Sequence, residues 1–523
     1  MAKLDSGTGL AQYPVSLCKT RVFLMLLMLE LLLMKLLNRK IAGPVVLGSM
    51  LSLGLIAGHP ALAATSSDPS VTQPAPRFNE AIRKEVQQSL LAAGLAQDAA
   101  QFESQRKTIH NADDCLPLFV REMAQLRVLY MHCTEEALKQ DSAGRKISEN
   151  FSVPDELAKR FNFWRRVYSL WAKDQYVLHS SEYPEVILEI VDASKVYRSD
   201  FLGREALAER YVSNVTSMRR HTYRRLLMEL HRQRNKDVKT LAPELQRIAS
   251  LFDHVQEPMK FAKAARTLRS QRGQRDFIAN GLTVGPKYLQ AIEPAFQDQG
   301  VPKELSRLAY IESSFNLSAV SKVGASGVYQ IMPDTGRQYL RMIPGIDERN
   351  EPVKAAVAAA KLLKMNYDML GSWPLAVTAY NHGVGGLLKA VRKTGSNDLA
   401  WLVHNYSNPQ FQFASKNFFC GFLAIIATLQ DSEKLFPDVA IAEPMKYQTV
   451  RLPRSQTVSA AAKTHHSSLD ELLAMNRDIQ RSYAKSGGTL PRGYVLKVPP
   501  AAPAELATVP DSQAIPASAA MKP

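Results

Sequence analysis

The chain is poor in cysteine. Four occur in 523 residues; Cys18 sits in an N-terminal leader, which leaves Cys115, Cys133 and Cys420. That count excludes a disulfide-framed scaffold and permits one bridge at most. Cys115 with Cys133 is one candidate, although the helical pattern between them demands a turn before they meet; reduced and buried is the other reading. No metal-ligand spacing of Cys, His, Asp and Glu occurs, and His465-His466 is too short to be one. Nucleic-acid motifs are absent as well, which matters because the formal net charge is +16.

The longest uncharged apolar run lies near the N-terminus. Residues 22–37 are rich in Leu and Met but broken by Glu30 and Lys35. A second unit reads as a secretory signal: Asn38-Arg39-Lys40, an uncharged apolar run from Ile41 to Gly58, and the small-x-small pattern Ala61-Leu62-Ala63 before Ala64. Met34 opens that unit, so residues 1–33 are expected to arise from an upstream start codon and not to be made. The leader carries six Lys/Arg against two Asp/Glu, so the mature chain keeps +12 (16 less 4). An exported, basic protein meets anionic wall polymers before it meets nucleic acid. The expected location is periplasmic. The alternative is an inner-membrane anchor, because the run from Ile41 to Gly58 just reaches bilayer-spanning length. No cysteine sits just after the cleavage pattern to take a lipid.

Behind the leader and signal (1–63), residues 64–76 are rich in Ser, Thr and Pro and read as a linker. Residues 77–285 read as a helical accessory region. Runs at Cys115–Lys139, Glu156–Lys173 and Glu205–Arg234 have apolar spacings of three to four, with breakers such as Ser152-Val153-Pro154 between them. The basic stripe Arg219-Arg220-His221 with Arg224-Arg225 reads as solvated helix surface or a polyanion contact. Phe163, Trp164, Tyr168 and Trp171 are helically spaced and read as packing or, less simply, as a sugar-stacking platform.

Within residues 286–435 one carboxylate breaks an apolar face. Leu305, Leu308, Ala309 and Glu312 fall at i, i+3, i+4 and i+7, with Lys303, Ser306 and Arg307 on the other side. Glu312 should therefore point inward, where a carboxyl group either finds a partner or is held protonated toward neutral pH, as a general acid requires. Asp334, Asp347, Glu348 and Asp368 have ordinary capping or surface readings. Asp334 reads as a helix cap, and Glu351-Pro352 opens a helix with proline at its tolerated first position.

Three further clusters follow: Gly324-Ala325-Ser326-Gly327-Val328-Tyr329-Gln330, Met332-Pro333-Asp334-Thr335-Gly336 and Ala379-Tyr380-Asn381-His382-Gly383. With Tyr310-Ile311-Glu312-Ser313-Ser314-Phe315-Asn316 they resemble the lytic transglycosylases that degrade bacterial peptidoglycan, in order and spacing. The likeness is to the soluble lytic transglycosylase type of catalytic domain, in a membrane-bound transglycosylase D-like arrangement. The resemblance implies a goose-lysozyme-like helical domain and cleavage of the β-1,4 bond between N-acetylmuramic acid and N-acetylglucosamine with formation of 1,6-anhydromuramoyl ends. Glu312 would be acid and then base, with the substrate's 2-acetamido group as nucleophile and no metal or organic cofactor. Ser321 and Gln330 would contact N-acetyl groups or nearby backbone. Tyr380 would hydrogen-bond toward the Glu312 carboxylate, and Asn381 would fix the adjacent turn. Tyr329 replaces the usual Met or Trp and would reshape the sugar wall, while Glu351 replaces the usual Asp as a weaker cap. His382 reads as surface or packing. The alternatives are a hydrolytic muramidase with a second carboxylate and an inert peptidoglycan-binding scaffold.

Residues 445–499 resemble a LysM domain, a βααβ module for N-acetylglucosamine-containing glycans. The resemblance rests on Leu469-Asp470-Glu471-Leu472-Leu473, Asn476 and Leu490-Pro491-Arg492-Gly493-Tyr494-Val495-Leu496. It is degenerate, with Ser455-Gln456-Thr457 in place of Gly-Asp-Thr and Ala461 for a larger aliphatic. The Ala/Pro-rich stretch 500–523 reads as disordered. The fold class expected is thus mainly α: a helical accessory region, a helical catalytic domain and a small βααβ unit. Peptidoglycan strands are the expected partner, and no protein partner is readable.

Overall fold

A computed structural model describes residue 138 and residues 144–198, 205–436 and 439–500. The leader, signal, linker, Cys115, Cys133 and the run Cys115–Lys139 up to Ala137 lie outside the described residues, as does the stretch 501–523.

The described chain is mainly helical, and its centre is the helix Phe413–Gln430. Ala, Ile, Leu and Phe surround that helix on all sides, the pattern of a core helix rather than a surface one; Phe422, Leu423, Ala424 and Ile425 are fully buried. Among the described residues it alone is long and apolar enough to cross a membrane, but 72% of it lies inside the fold. Against it packs α1 (Ala158–Ser169). Arg165 of α1 pairs with Asp431 at 2.8 Å, and Trp164 Nε1 donates to Asn417 Oδ1 at 3.1 Å. Phe151, Phe163, Tyr168 and Trp171 are all buried.

The accessory part departs from the all-helical expectation. Strands β1 (Gln175–Ser180), β2 (Ile187–Asp192) and β3 (Leu268–Arg272) form an antiparallel sheet with β1 central. These runs are short and lie in charged surroundings, so their period-2 pattern is masked by the helices around them. A long helix, α2 (Glu205–Arg232), covers the sheet and shares a core of Leu178, Leu188, Leu227, Ile248 and Phe252. Its basic stripe is only partly solvated: Arg224 Nε donates to the Ala265 carbonyl at 3.2 Å and Arg219 lies 3.6 Å from Glu189.

Next come α3 (Arg275–Val284), α4 (Pro286–Gln297) and α5 (Leu308–Ser313). They precede α6 (Pro333–Tyr339), a small hairpin of β4 (Met342–Ile343) and β5 (Ile346–Asp347), α7 (Pro352–Leu370) and α8 (Trp373–His382). We number Phe413–Gln430 α9; it packs on α8 as well as α1. The last unit begins with β6 (Gln448–Arg451) and β7 (Gln456–Thr457), followed by α10 (Val458–Thr464) and α11 (Leu469–Met475). It closes with β8 (Thr489–Leu490) and β9 (Val495–Val498), β6 pairing with β9 and β7 with β8.

Phe422 is fully buried and meets the ring of Phe151 edge-on at 5.2 Å. Phe422→Ala should destabilise the chain by about 3–5 kcal/mol, read as a lower midpoint in thermal unfolding. Because α1 and α9 share that core, both should be lost in the same transition.

Candidate active site

Glu312 sits in the last turn of α5. The segment before it, Lys303–Arg307, is a tighter 3₁₀ turn. Leu305, Leu308 and Ala309 are fully buried, as their spacing predicts. Ser306, assigned to the outer face, is buried too, because the three-residue turn rotates it inward; its hydroxyl is capped on the Lys303 carbonyl at 2.6 Å.

After Ser313 the backbone makes an abrupt exit. Ser314 and Phe315 both take left-handed conformations, φ 52° and 58°, uncommon for residues with a Cβ and of the kind held only where surroundings over-determine them. Here Phe315 is buried against Tyr310 and Tyr288, ring centroids 5.2 and 6.0 Å away. Its amide donates to the Ala309 carbonyl at 3.1 Å. The turn ends α5 one residue beyond the carboxylate.

The glycine-rich loop closes over this helix end. Ser313 Oγ donates to the Val328 carbonyl at 2.9 Å, and the Tyr329 hydroxyl to the Ser306 carbonyl at 2.9 Å. Gly327, at φ 76°, passes so close to the 345–351 segment that a Cβ would lie 1.8 Å from the Arg349 carbonyl oxygen. Arg349 supports the loop from beneath, donating to the carbonyls of Gly324 at 2.8 Å and Ile331 at 3.1 Å. Asn350 accepts from the Ser326 hydroxyl at 2.7 Å.

Glu312 keeps partial exposure and, among the described residues, has no hydrogen-bond or ion-pair partner. Desolvation pushes its pKa up to about 8. Two tyrosines lie near enough to feel it. Burial, with the Glu312 carboxylate adding to it, holds the hydroxyls of Tyr380 and Tyr168 above their ordinary values. Tyr168 comes from α1 and was read as packing; only the fold of the accessory part brings it here.

The other expected residues divide. Tyr380 does adjoin Glu312, but its hydroxyl donates to the Tyr329 carbonyl at 2.9 Å rather than to the carboxylate, because the loop offers a buried acceptor. Gln330 takes φ 47° and its Nε2 donates to the carbonyls of Gly327 and Ala319, at 2.9 and 3.2 Å. Its amide nitrogen thus shapes the loop. Ser321 Oγ accepts from the Ala325 amide at 2.9 Å and closes the turn 321–325. Asn381 is exposed at the end of α8 without a side-chain hydrogen bond, among the described residues, so it does not fix the turn. Tyr329 is wholly buried and stands behind the site instead of walling it. His382 packs edge-on against Phe411 and shares a hydrogen bond with Ser415 at 2.9 Å.

Among the described residues no second carboxylate is paired with Glu312. Asp334 is exposed, lies inside the first turn of α6 rather than capping it, and pairs with Arg337 at 2.5 Å. Asp347 is held by Arg349 at 2.7 Å, Glu348 by Lys354 at 3.2 Å, and Asp368 pairs with Lys364 at the surface. Among the described residues no three His, Cys, Asp or Glu side chains converge as a metal site.

This constellation coincides with a known domain. Residues 290–401 match the family described as Transglycosylase SLT domain. The SLT segment holds Glu312, the glycine-rich loop and Tyr380; Tyr168 lies outside it. The chain is 29% identical over 187 residues to the membrane-bound lytic murein transglycosylase D of Escherichia coli K12, a match covering 35% of this chain and 38% of that protein's length. It is 29% identical over 138 residues to a putative tributyltin chloride resistance protein of an Alteromonas species, covering 26% of this chain and 66% of that protein. Among solved structures, the 70 kDa soluble lytic transglycosylase SLT70 of Escherichia coli aligns at 16% identity with a TM-score of 0.25. That alignment covers 68% of this chain and 50% of that one.

A carboxyl group with a pKa near 8 donates a proton only below that pH, so any reaction that uses Glu312 as its acid should fall off on an alkaline limb near pH 8. Stability moves with the same group. The unfolded chain ionises Glu312 near 4.5 and the fold does so only near 8, so the group's contribution to stability declines as pH rises from 4.5 and levels off above 8. Glu312→Gln removes that penalty. Thermal unfolding at pH 5 and pH 9 should show the variant gaining on the parent by up to about 4 kcal/mol at the higher pH.

Proposed function

We propose that the chain is a peptidoglycan lytic transglycosylase acting on the β-1,4 bond between N-acetylmuramic acid and N-acetylglucosamine. The observation that carries this reading is a carboxyl group with its pKa near 8, lone and unpartnered among the described residues, at the end of a buried helix turn. Glycosidases that activate water or form a glycosyl-enzyme use two carboxylates, roughly 5–10 Å apart. Here every other acidic side chain read as near Glu312 is engaged elsewhere. A one-carboxylate site suits a substrate that brings its own nucleophile, which the 2-acetamido group of N-acetylmuramic acid does.

Glu312, protonated at neutral pH, donates its proton to the leaving glycosidic oxygen while the acetamido oxygen attacks the anomeric carbon. The resulting carboxylate then takes the proton of the sugar's 6-hydroxyl, whose oxygen closes the 1,6-anhydro ring and restores the acetamido group. Charge on Glu312 is transient, and the adjoining tyrosines Tyr380 and Tyr168, held protonated, add no negative charge beside it. Gln330 Oε1, which has no protein partner among the described residues, and exposed Asn381 are available to sugar N-acetyl groups. Ser321 keeps its hydroxyl proton for the same use.

The SLT segment is read as a goose-lysozyme-like domain and 445–499 as a LysM-like unit that meets the same glycan. In this unit Thr457 caps α10, its hydroxyl accepting from the Ala460 amide at 3.2 Å, and Asn476 is buried, bonded to the Lys497 backbone on both sides. Relatives of this type are membrane-bound by name, and an exported, envelope location fits the basic chain and its leader.

Purified peptidoglycan incubated with the chain should release muropeptides lighter by one water than hydrolytic products, detected by mass spectrometry. Glu312→Gln should lower the rate by about 10²–10⁴-fold. Reducing ends would transfer the assignment to a hydrolytic muramidase; sedimentation with peptidoglycan and no soluble product from either form would leave a binding scaffold.

A further inference from the structure

The C-terminal unit is not merely adjacent to the SLT segment; the two share a core. Ile346 of the β4–β5 hairpin is fully buried among Leu452, Val458, Leu472, Ile479, Leu490 and Leu496 of that unit. Backbone joins them on either side of it: the Gln480 amide donates to the Gly345 carbonyl at 2.9 Å and the Asp347 amide to the Asp478 carbonyl at 2.8 Å. Gly345 is required there, since a Cβ would lie 2.1 Å from the Tyr483 ring. Two buried ion pairs continue the seam. Lys497 Nζ meets Glu351 Oε1 at 2.6 Å with both side chains nearly or wholly buried, and Lys354 meets Asp478 at 2.7 Å. The other oxygen of Glu351 caps α7, accepting from the Lys354 amide at 2.8 Å.

The segment 345–351 therefore has two sides. One is gripped by the C-terminal unit, through Gly345, Ile346, Asp347 and Glu351. The other carries the glycine-rich loop, through Arg349 on the carbonyls of Gly324 and Ile331 and Asn350 on Ser326. That loop in turn holds Ser313 and Tyr380, the neighbours of Glu312.

We propose that Lys497 is a positioning residue for the Glu312 site: by neutralising and orienting Glu351 it braces segment 345–351, and through Arg349 and Asn350 that segment sets the loop Gly324–Ile331. The C-terminal unit is then a structural part of the cleft and not only a tethered glycan anchor. An anchor alone would affect only substrates large enough to reach it. A brace affects every substrate, and it also affects the loop when no substrate is present.

The test uses the full chain with the double replacement Glu351→Gln and Lys497→Met, which removes the pair without stranding one buried charge; the glutamine retains the helix cap. The first readout is hydrogen exchange at the amides of Ser326, Gly327, Gln330 and Ile331, all of which donate within or beside the loop. Their exchange should quicken about tenfold while amides of α9 are unchanged. The second readout, which rests on the lytic reading, is turnover of a soluble glycan too short to reach the C-terminal unit; kcat should fall about tenfold with KM nearly constant. Lys497→Arg in the parent background, which keeps a cation opposite Glu351, should leave both near parent values. Unchanged loop exchange in a folded double variant would overturn the proposal. Faster exchange in a chain whose parent forms no anhydro product would uphold the brace and remove the lytic reading alone.

Discussion

The site depends on desolvation of one carboxyl group without compensation. A carboxylate moved out of water is strongly disfavoured unless a cation or several donors meet it, and the ordinary outcome in a protein is pairing. Glu312 is given neither. Leu305, Leu308 and Ala309 fill the helix face that leads to it, Phe315 seals the turn beyond it, and the hydroxyls of Tyr380 and Tyr168, which feel its charge, are held protonated by desolvation. What remains is an acid that retains its proton at neutral pH. The helix-ending turn, the loop above it and the wall contributed by α1 each withhold a partner from this one side chain.

Such an arrangement has to be imposed, because an unpartnered acid destabilises its own surroundings. The imposing parts are visible in the left-handed pair Ser314 and Phe315, the left-handed Gln330 and the close passage of Gly327 over Arg349. Each is a conformation that open chain would leave, and side-chain hydrogen bonds at or beside each one tie it down: Ser313 to Val328, Gln330 to Ala319, Arg349 to Gly324 and Ile331. The loop is thus held as one piece, from above by Tyr380 and from below by the 345–351 segment.

The position of Glu312 was legible in the sequence because local periodicity sets which way a helical residue points, and that needs no tertiary information. The acceptor of the Tyr380 hydroxyl is not readable from sequence, since the Tyr329 carbonyl becomes available only when the loop folds back. Ser306 was misplaced by assuming a 3.6-residue turn where the chain uses three. The sheet of β1, β2 and β3 was hidden by its brevity and by the charged helices around it. Tyr168 and Lys497 could not have been found, because each acts at a distance along the chain; the partner of Lys497 is 146 residues away.

Glu351 and Glu312 show how the same side chain is put to opposite uses within forty residues. Glu351 is the more deeply buried of the two, yet it has a lysine and a helix amide on its oxygens, so its charge is accommodated and its work is geometric. A shorter aspartate at 351 would still cap α7, since capping needs reach only to the nearby amide, but it would not span the gap to Lys497 as well. The glutamate that looks like a weaker cap is therefore better understood as a longer tie. Its extra methylene links the helix start to the C-terminal unit, where a cap alone would serve only the helix. Glu312 has kept some access to solvent and has no partner, so its environment acts on its proton and not on its position. Burial by itself does not separate a structural acid from a chemical one; what separates them is whether the fold supplies a cation together with the cavity.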